Sequence, residues 1–168
     1  MCRHCRAATG ALTRPFARAR YTVGVDAQVQ IRTAAAADAG ALADLSGALG
    51  YPSTVEQVRT RLTLLDDPER TILVAQAGGV VAGFIDVHVQ RVVESEPYGE
   101  VGGLVVDAAC RGTGVGAALL AAAAVWTRAR GLERLWIRAN LARVGPHEFY
   151  DAVGCRTVKD QRVYEYPL

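Results

Sequence analysis

A glycine-rich segment that follows an apolar run is the part of the chain with the clearest chemical meaning. The run is Leu104, Val105 and Val106, and residues 111–116 after it read Arg-Gly-Thr-Gly-Val-Gly at the start of a helical pattern. Because glycine has no Cβ, such a turn lets backbone N–H groups and the positive end of the following helix approach an anion closely. The pattern therefore predicts a phosphate-binding turn. It is not a P-loop, since no Gly-Lys-Ser/Thr follows it.

A second interpretation takes Gly112, Gly114 and Ala117 as a dinucleotide-binding G-x-G-x-x-A motif. In that fold the motif follows the first strand, and an acidic residue ends the next strand. Here two helices and three strands are predicted before the strand that leads into the motif, and the next strand ends in Arg138 and Asn140. The position in the chain therefore disfavours a dinucleotide site.

Four titratable side chains are candidates for proton transfer. Tyr150 falls on a predicted short helix, and a phenol with a pKa of about 10 is protonated at neutral pH and can donate to an atom developing negative charge. Glu100, at the start of a predicted strand, could remove a proton through a water molecule. Asp86 and His88, on one face of a neighbouring strand, are further candidates for that base. Each of the four also fits an ordinary structural place, so these residues by themselves leave the base open.

An alternation of strands and helices must position these residues. Apolar spacing predicts a strand, two helices, a hairpin, a further strand, a long helix, a strand parallel to the preceding one, a short helix and final antiparallel strands. The predicted ranges are 29–32, 38–49, 55–65, 71–89, 100–106, 113–130, 132–138, 146–153 and 158–166. Residues 94–98 are expected to be a polar loop, and Ser53 and Glu56 to form a capping box before the second helix.

Alternation along the strands predicts which side chains share a face of the sheet. On the second strand of the hairpin, one face is expected to carry Phe84, Asp86 and His88. The opposite face of that strand is expected to carry the apolar residues Val81, Ile85, Val87 and Val89. The next strand is expected to present four residues on one side, namely Glu100, Gly102, Leu104 and Val106.

The motif Arg111-x-x-Gly114-x-Gly116, placed after its apolar strand, resembles the acetyl-CoA signature of the GNAT acetyltransferase superfamily. The order of the predicted elements is similar to that family, and so are the later segments 138–143 and 147–155. The resemblance covers residues 28–168. It implies an α/β (α+β) GNAT fold, with a mixed central sheet of about six to seven strands flanked by about four helices.

The resemblance also implies roles for individual residues. Backbone amides of residues 111–116 are expected to hold the CoA pyrophosphate, and Tyr150 to protonate the departing thiolate. The base is expected to be Glu100, which lies two residues before Gly102 on the same predicted strand face and would act through a water molecule. Gly102 stands where family members often carry a glutamate, which puts the base in doubt, and Cys155 replaces a usual aromatic. No metal is implied. The residues expected to contact acetyl-CoA are Leu104, Val105, Val106, Arg111, Gly112, Thr113, Gly114, Val115, Gly116, Ala117 and Asn140.

The function that this resemblance implies is transfer of acetyl from acetyl-CoA to a primary amine, by direct attack in a ternary complex. Glu94, Glu96 and Glu100 favour a cationic small molecule as acceptor. Two alternatives stay open: a catalytically silent acyl-CoA-binding regulatory module, and a protein or peptide N-acetyltransferase. The missing glutamate at Gly102 favours the silent module, and Tyr150 opposes it.

Composition and charge limit which partners and which cellular location the sequence favours. The chain has 168 residues and a net charge of +2. Residues 1–27 contain five arginines and one acidic residue, Asp26, so their net charge is +4 and that of residues 28–168 is −2. A nucleic-acid binder would concentrate basic charge on its folded part, so this class is disfavoured. The longest apolar run, residues 115–126, is too short to span a bilayer. We expect a cytoplasmic protein without a membrane partner; a homodimer is left open.

Residues 1–27 show no strand or helix periodicity and are expected to be a disordered basic tail before a single domain at residues 28–168. Cys2 and Cys5 have a zinc-like spacing within this tail. A closed zinc site needs four ligands, and no second Cys/His pair has metal-ligand spacing. The sequence therefore predicts no metal site.

Overall fold

The computed structural model describes residues 19–22, 28–65, 67–141 and 144–168, with only the backbone described for residues 19–22, 28 and 144. Most of the expected tail lies outside the described residues. Within it, Ala19–Thr22 form a strand that pairs with the next one, which differs from the expected absence of structure there. The chain divides into two compact units, Met1–Ile137 and Arg138–Leu168.

The first unit is built on a mixed six-stranded sheet with the strands in chain order. The strands are β1 (Ala19–Thr22), β2 (Gln28–Thr33), β3 (Arg70–Ala77), β4 (Val80–Val92), β5 (Ser95–Val106) and β6 (Leu135–Ile137). All neighbouring pairs are antiparallel except β5 and β6, which are parallel as the sequence predicts. The helices are α1 (Ala39–Ala48), α2 (Val55–Leu64) and α3 (Val115–Arg128), with α4 (Val144–Ala152) in the second unit. The predicted α/β class with a mixed sheet and four helices is confirmed.

The two faces of the sheet are covered by different helices. On one face α3 packs through Leu119 and Trp126 against a cluster that includes Ile85 on β4. On the other face α1 and α2 pack against a second cluster that includes Phe84 and Val105. Ile85 and Leu119 are fully buried, and burial of each such side chain contributes about 1.5–3 kcal/mol. The sheet is thus fixed from both sides.

The capping box of α2 lies one residue later than predicted. The Gln57 amide donates to Thr54 Oγ1 at 3.2 Å, and the Thr54 amide donates to Gln57 Oε1 at 2.9 Å. Ser53, the predicted cap, instead accepts a hydrogen bond from Arg61 at 2.7 Å. Serine and threonine both cap helices, and Glu56 and Gln57 are both suitable partners in a capping box. The sequence therefore offers two equivalent starts, of which the structure uses the one at Thr54.

Two β-bulges overturn part of the predicted face assignment. Ala82 is an extra residue in β4 where it pairs with β3, so Val81 packs on the same side as Phe84 rather than opposite to it. Gly102 is an extra residue in β5 where it pairs with β4. Leu104 and Val106 therefore pack against the α3 cluster, on the face opposite to Glu100. A bulge adds one residue and so reverses the alternation beyond it.

Two predicted elements near strand ends are wrong. The polar loop at residues 94–98 is shorter, because β5 already begins at Ser95 and buries Tyr98. The final strands at residues 158–166 are not formed, and Val158, Val163 and Tyr164 are exposed. Four consecutive polar residues at 159–162 interrupt the alternation that a half-buried strand requires. Among the described residues no helix is both long and apolar enough to cross a membrane.

Candidate functional site

The glycine-rich turn connects the end of β5 to the start of α3. Gly112 and Gly114 have φ values of 74° and 86°, in the left-handed region that side chains other than glycine rarely adopt. Thr113 holds the turn by donating its hydroxyl hydrogen to the carbonyl of Cys110 at 2.6 Å. The two glycines thus allow the backbone to reverse from strand into helix within a few residues.

The start of α3 is open to an anion. Gly114 occupies the N-cap position, where it offers no side chain to the first amides, and the first turn contains no acidic residue. The N-terminal amides of a helix lack partners within the helix and carry a partial positive charge. The amides of Val115, Gly116 and Ala117 therefore form a suitable place for a phosphate group.

Strands β5 and β6 separate just before this turn. They pair only over Gly99–Val101 and Leu135–Ile137, while β5 continues to Val106. In the part of the chain that the structure describes, no strand pairs with this edge of β5 beyond Val101. Backbone N–H and C=O groups along such an edge can pair with an extended amide chain. We call this opening, between residues 102–106 of β5 and the end of β6, the β5/β6 fork.

A row of polar side chains crosses the sheet at the base of the fork. Arg70 on β3 is opposite His88 on β4, and His88 is opposite Glu100 on β5. Glu100 is in turn opposite Trp136 on β6. Arg70 also binds Asp86 in a bidentate ion pair, with Nε donating to Oδ1 at 3.0 Å and Nη2 donating to Oδ2. Three of the four predicted titratable residues thus share one face of the sheet.

Gly102 lies close beside this row. It is exposed although it lies within the paired part of the sheet. A Cβ atom at this position would lie 3.0 Å from Asp86 Oδ2 and 3.8 Å from His88 Nδ1. That Nδ1 atom is buried and has no hydrogen-bond partner among the described residues. Buried polar atoms are normally paired, so the unpaired nitrogen marks this place as unusual.

Tyr150 lies on α4 in the second unit. Its ring contacts that of Phe149 edge to face at a centroid distance of 5.2 Å, and its carbonyl accepts from the Cys155 amide at 2.9 Å. Burial raises the pKa of the Tyr150 phenol above its ordinary value of about 10, and the nearby Cys155 raises it further. The phenol is therefore protonated at neutral pH, as a proton donor must be.

Asn140 precedes α4 in the same unit, and its carbonyl lies 3.2 Å from His147 Nε2. This contact joins the segment after β6 to the first turns of α4. Arg138 and Gln161 are joined by a second hydrogen bond, 2.8 Å long, from Nη1 to Oε1. These bonds connect the start, middle and end of the second unit.

Comparison with known proteins identifies the family. The family model described as Acetyltransferase (GNAT) family matches residues 41–154. An aminoglycoside N(6')-acetyltransferase type 1 from Stenotrophomonas maltophilia is 32% identical over 143 residues, which is 82% of this chain and 93% of that protein. The chain belongs to the GNAT acetyltransferase family. It is an enzyme of the acyltransferase class.

Solved structures with low sequence identity share the fold of this GNAT acetyltransferase. AAC(6')-Iy in complex with a bisubstrate analogue of CoA and acetylneamine has a TM-score of 0.74 at 19% identity, covering 83% of this chain and 99% of that one. AAC(6')-IG from Acinetobacter haemolyticus has a TM-score of 0.71 at 20% identity, covering 82% and 98%. The predicted resemblance to the GNAT superfamily is thus confirmed.

The predicted site residues of the GNAT enzyme fall into two groups. In the first unit, β5 leads directly from Glu100 through Leu104, Val105 and Val106 to the glycine-rich turn, and Glu100 faces His88. In the second unit Asn140 and Tyr150 lie before and within α4. The roles of all these residues stay predictions.

Sequence reasoning missed Arg70 and the special place of Gly102. Arg70 belongs to no motif, although counting back from the turn at Gly78 and Gly79 places it near His88 in a hairpin. The bulge at Ala82 shifts that count by one residue. In the sequence, Gly102 stands out only because similar proteins often carry a glutamate there. The bulge at Gly102 could not be seen, because a bulge has no reliable pattern in a single sequence.

Proposed function

We propose that this enzyme transfers the acetyl group of acetyl-CoA to a primary amine of a cationic small molecule, of the aminoglycoside type. The observation that carries the proposal is the course of β5, which separates from β6 at the fork and leads into the glycine-rich turn. Along this path the free edge of β5 can pair with the extended pantetheine arm of CoA. The backbone amides at the start of α3 can then bind its pyrophosphate. The 32% identity to an aminoglycoside N(6')-acetyltransferase supports the acceptor class.

In this proposal acetyl-CoA lies along the path from the fork to the turn. The backbone of Leu104, Val105 and Val106 pairs with the pantetheine amides, and Asn140 contacts the same arm. The pyrophosphate binds the backbone amides of the turn. The residues proposed for that end are Arg111, Gly112, Thr113, Gly114, Val115, Gly116 and Ala117. Edge pairing of this kind needs backbone groups without a strand partner, and among the described residues no strand pairs with this edge of β5 beyond Val101.

The proposed reaction is a direct attack in a ternary complex. Glu100, through a water molecule, removes one proton from the acceptor ammonium, and the free amine attacks the acetyl carbonyl carbon. The carbon–sulfur bond breaks as Tyr150 gives its proton to the departing thiolate. The new amide nitrogen then loses its second proton, which restores the phenol. The raised pKa of Tyr150 supports this role, because the phenol reaches the reaction in its protonated form.

The acidic residues near the fork support a cationic acceptor. Glu94, Glu96 and Glu100 lie in or beside β5, and the folded part of the chain has a negative net charge. Negative charge near a site raises the local concentration of a cationic ligand. A polycationic small molecule therefore suits this surface better than a neutral acceptor.

The experiment that tests the proposed function is an acceptor comparison with acetyl-CoA and detection of released thiol. Two aminoglycosides that differ only in a 6'-amine or a 6'-hydroxyl form the matched pair, with a polyamine and a peptide N-terminus beside them. We expect turnover with the amine and none with the hydroxyl analogue. Turnover of the peptide alone would instead show a peptide N-acetyltransferase. Tight binding of acetyl-CoA without turnover of any amine would show a silent acyl-CoA-binding module.

A further inference from the structure

Two aromatic rings join β5 to β6 at the base of the β5/β6 fork. The rings of Tyr98 and Trp136 lie with their centroids 4.7 Å apart, at an interplanar angle of 31°. Tyr98 is buried, with 4% of its surface exposed, and Trp136 is half-buried. Aromatic rings at this distance attract each other beyond the effect of the area that they bury. The pair therefore ties the two strands together on one face of the sheet.

Trp136 is the residue through which β6 is held on this face. β6 is three residues long, and among the described residues it pairs with no strand but β5. A short edge strand has backbone hydrogen bonds on one side only and opens readily. Leu135 and Ile137 pack on the opposite face, in the α3 cluster. On the face of Glu100, the position of β6 is therefore set by Trp136 and its contact with Tyr98.

The backbone of β5 is fixed at the same level from its other face. Gly99 lies between Tyr98 and Glu100, and a Cβ atom there would lie 2.7 Å from Thr127 Oγ1. Thr127 is buried, and its hydroxyl donates to the carbonyl of Ala123 at 2.8 Å. Helix α3 thus packs directly against the backbone of β5 at Gly99. On a backbone fixed in this way, the direction of the Glu100 carboxylate depends on the side chains beside it.

We propose that Trp136, held by Tyr98, is a positioning residue for the Glu100 carboxylate. The inference rests on the proposed function, in which Glu100 is the base. Glu100 and Trp136 are paired in register on neighbouring parallel strands. Such strands lie about 4.8 Å apart, with paired side chains on the same face. The indole is large and rigid, so it excludes the Glu100 rotamers that point toward the edge of the sheet.

This positioning affects the chemical step. A general base contributes only when its carboxylate reaches the proton in the reacting geometry. A glutamate side chain has three rotatable bonds, and ordering it costs conformational entropy. The indole reduces that cost before the substrate arrives. Its removal leaves the carboxylate present but spread over more orientations, so the loss appears in kcat and not in the KM of acetyl-CoA.

The first test compares two substitutions of Trp136 on an accepted aminoglycoside. Trp136→Leu removes the ring but keeps an apolar side chain, and we expect kcat to fall about tenfold with the KM of acetyl-CoA unchanged. Trp136→Phe keeps a ring that can contact Tyr98, and we expect its kcat to stay within about threefold of the wild type. Wild-type kcat in Trp136→Leu, or an equal loss in both variants, would overturn the proposal.

A double-mutant cycle with Glu100→Gln separates positioning from a merely structural role. If Trp136 acts through Glu100, Trp136→Leu lowers kcat about tenfold in the wild-type background and less than about twofold in the Glu100→Gln background. A structural role would lower kcat by the same factor in both backgrounds, which would overturn the proposal. Thermal unfolding of each variant confirms that it folds.

The side-chain rotamers of Glu100 separate this inference from the proposed function. Three-bond couplings measured by NMR report whether χ1 of Glu100 occupies one rotamer or several. One rotamer in the wild type that becomes averaged in Trp136→Leu would support the inference even if no amine is acetylated, in which case only the proposed function fails. Averaged couplings already in the wild type, or one rotamer in both proteins, would overturn the inference while leaving the proposed function intact.

Discussion

His88 on β4 and Glu100 on β5 stand directly opposite each other and project from the same face of the sheet. Side chains so placed have Cβ atoms about 4.5–5.5 Å apart. Arg70 extends the row on β3, and Trp136 extends it on β6. The row crosses the sheet where β5 and β6 separate, so titratable groups from three strands meet beside the path that we propose for acetyl-CoA.

Glu100→Gln tests the proposed base. We expect kcat to fall by about tenfold to a hundredfold and the pH dependence of the rate to change, because a glutamine amide cannot accept the proton that a general base removes. The measurement is the pH–rate profile with saturating acetyl-CoA. Glu133→Gln, which removes the same charge from an exposed residue, is the control. An effect confined to the KM of the acceptor would show that Glu100 only contacts the substrate.

Gly114→Asp tests the phosphate-binding turn. The variant places a carboxylate at the N-cap of α3, so we expect the affinity for CoA to fall by about tenfold or more through charge repulsion. Gly131→Asp introduces the same residue at a glycine of similar φ, 73°, just beyond the other end of α3. It controls for backbone strain. Equal CoA affinity of the two variants by calorimetry would exclude the turn as the pyrophosphate site.

Asp38→Asn tests the ion pair that joins β2 to the start of α1. Asp38 accepts two bonds of 2.7 Å from Arg32 and a third from the Ala35 amide. Hydrogen bonding to Arg32 lowers the pKa of the Asp38 carboxyl. Because this pair is largely buried, we expect the variant to lower the free energy of unfolding at neutral pH by about 3 kcal/mol. Asp44→Asn, at an exposed residue of α1, is the control.

The same variant has a defined pH dependence. A carboxyl with a lowered pKa in the folded state stabilises the fold above the ordinary Asp value of about 3.9, and this contribution is lost as the pH falls through the folded pKa. The difference in unfolding free energy between wild type and Asp38→Asn should therefore be constant above about pH 5 and shrink on acidification. A difference that grows toward low pH would show that the pair does not stabilise the fold.

Most helices and strands of this fold could be predicted, because their apolar side chains recur with the spacing of a helix or a strand. Leu42 and Leu45 lie on the buried side of α1 as their spacing predicts, and β6 is parallel to β5 as a strand after a crossover helix should be. The bulges at Ala82 and Gly102 could not be predicted. One extra residue leaves the amino-acid composition of a strand almost unchanged, and its effect is to move the residues beyond it to the opposite face of the sheet.

One part of the candidate site could be predicted from the sequence and another could not. The glycine-rich turn has a local pattern and lies where the sequence predicts it. The Asp86 and Arg70 pair depends on a strand register that the bulge at Ala82 shifts. The prediction of final strands at residues 158–166 is wrong for a different reason. Val163 and Tyr164 are residue types that favour strands, but both are exposed. No strand among the described residues pairs with them.

Direct acetyl transfer with Tyr150 as the proton donor is the central claim, and kcat of Tyr150→Phe tests it most directly. The substitution removes one hydroxyl, and Tyr164→Phe removes the same group from an exposed position as a control. We predict that Tyr150→Phe lowers kcat by about 10² to 10⁴ with the KM of acetyl-CoA nearly unchanged, because the proton is delivered only in the transition state. A kcat for Tyr150→Phe close to that of the wild type on an accepted amine would contradict the account.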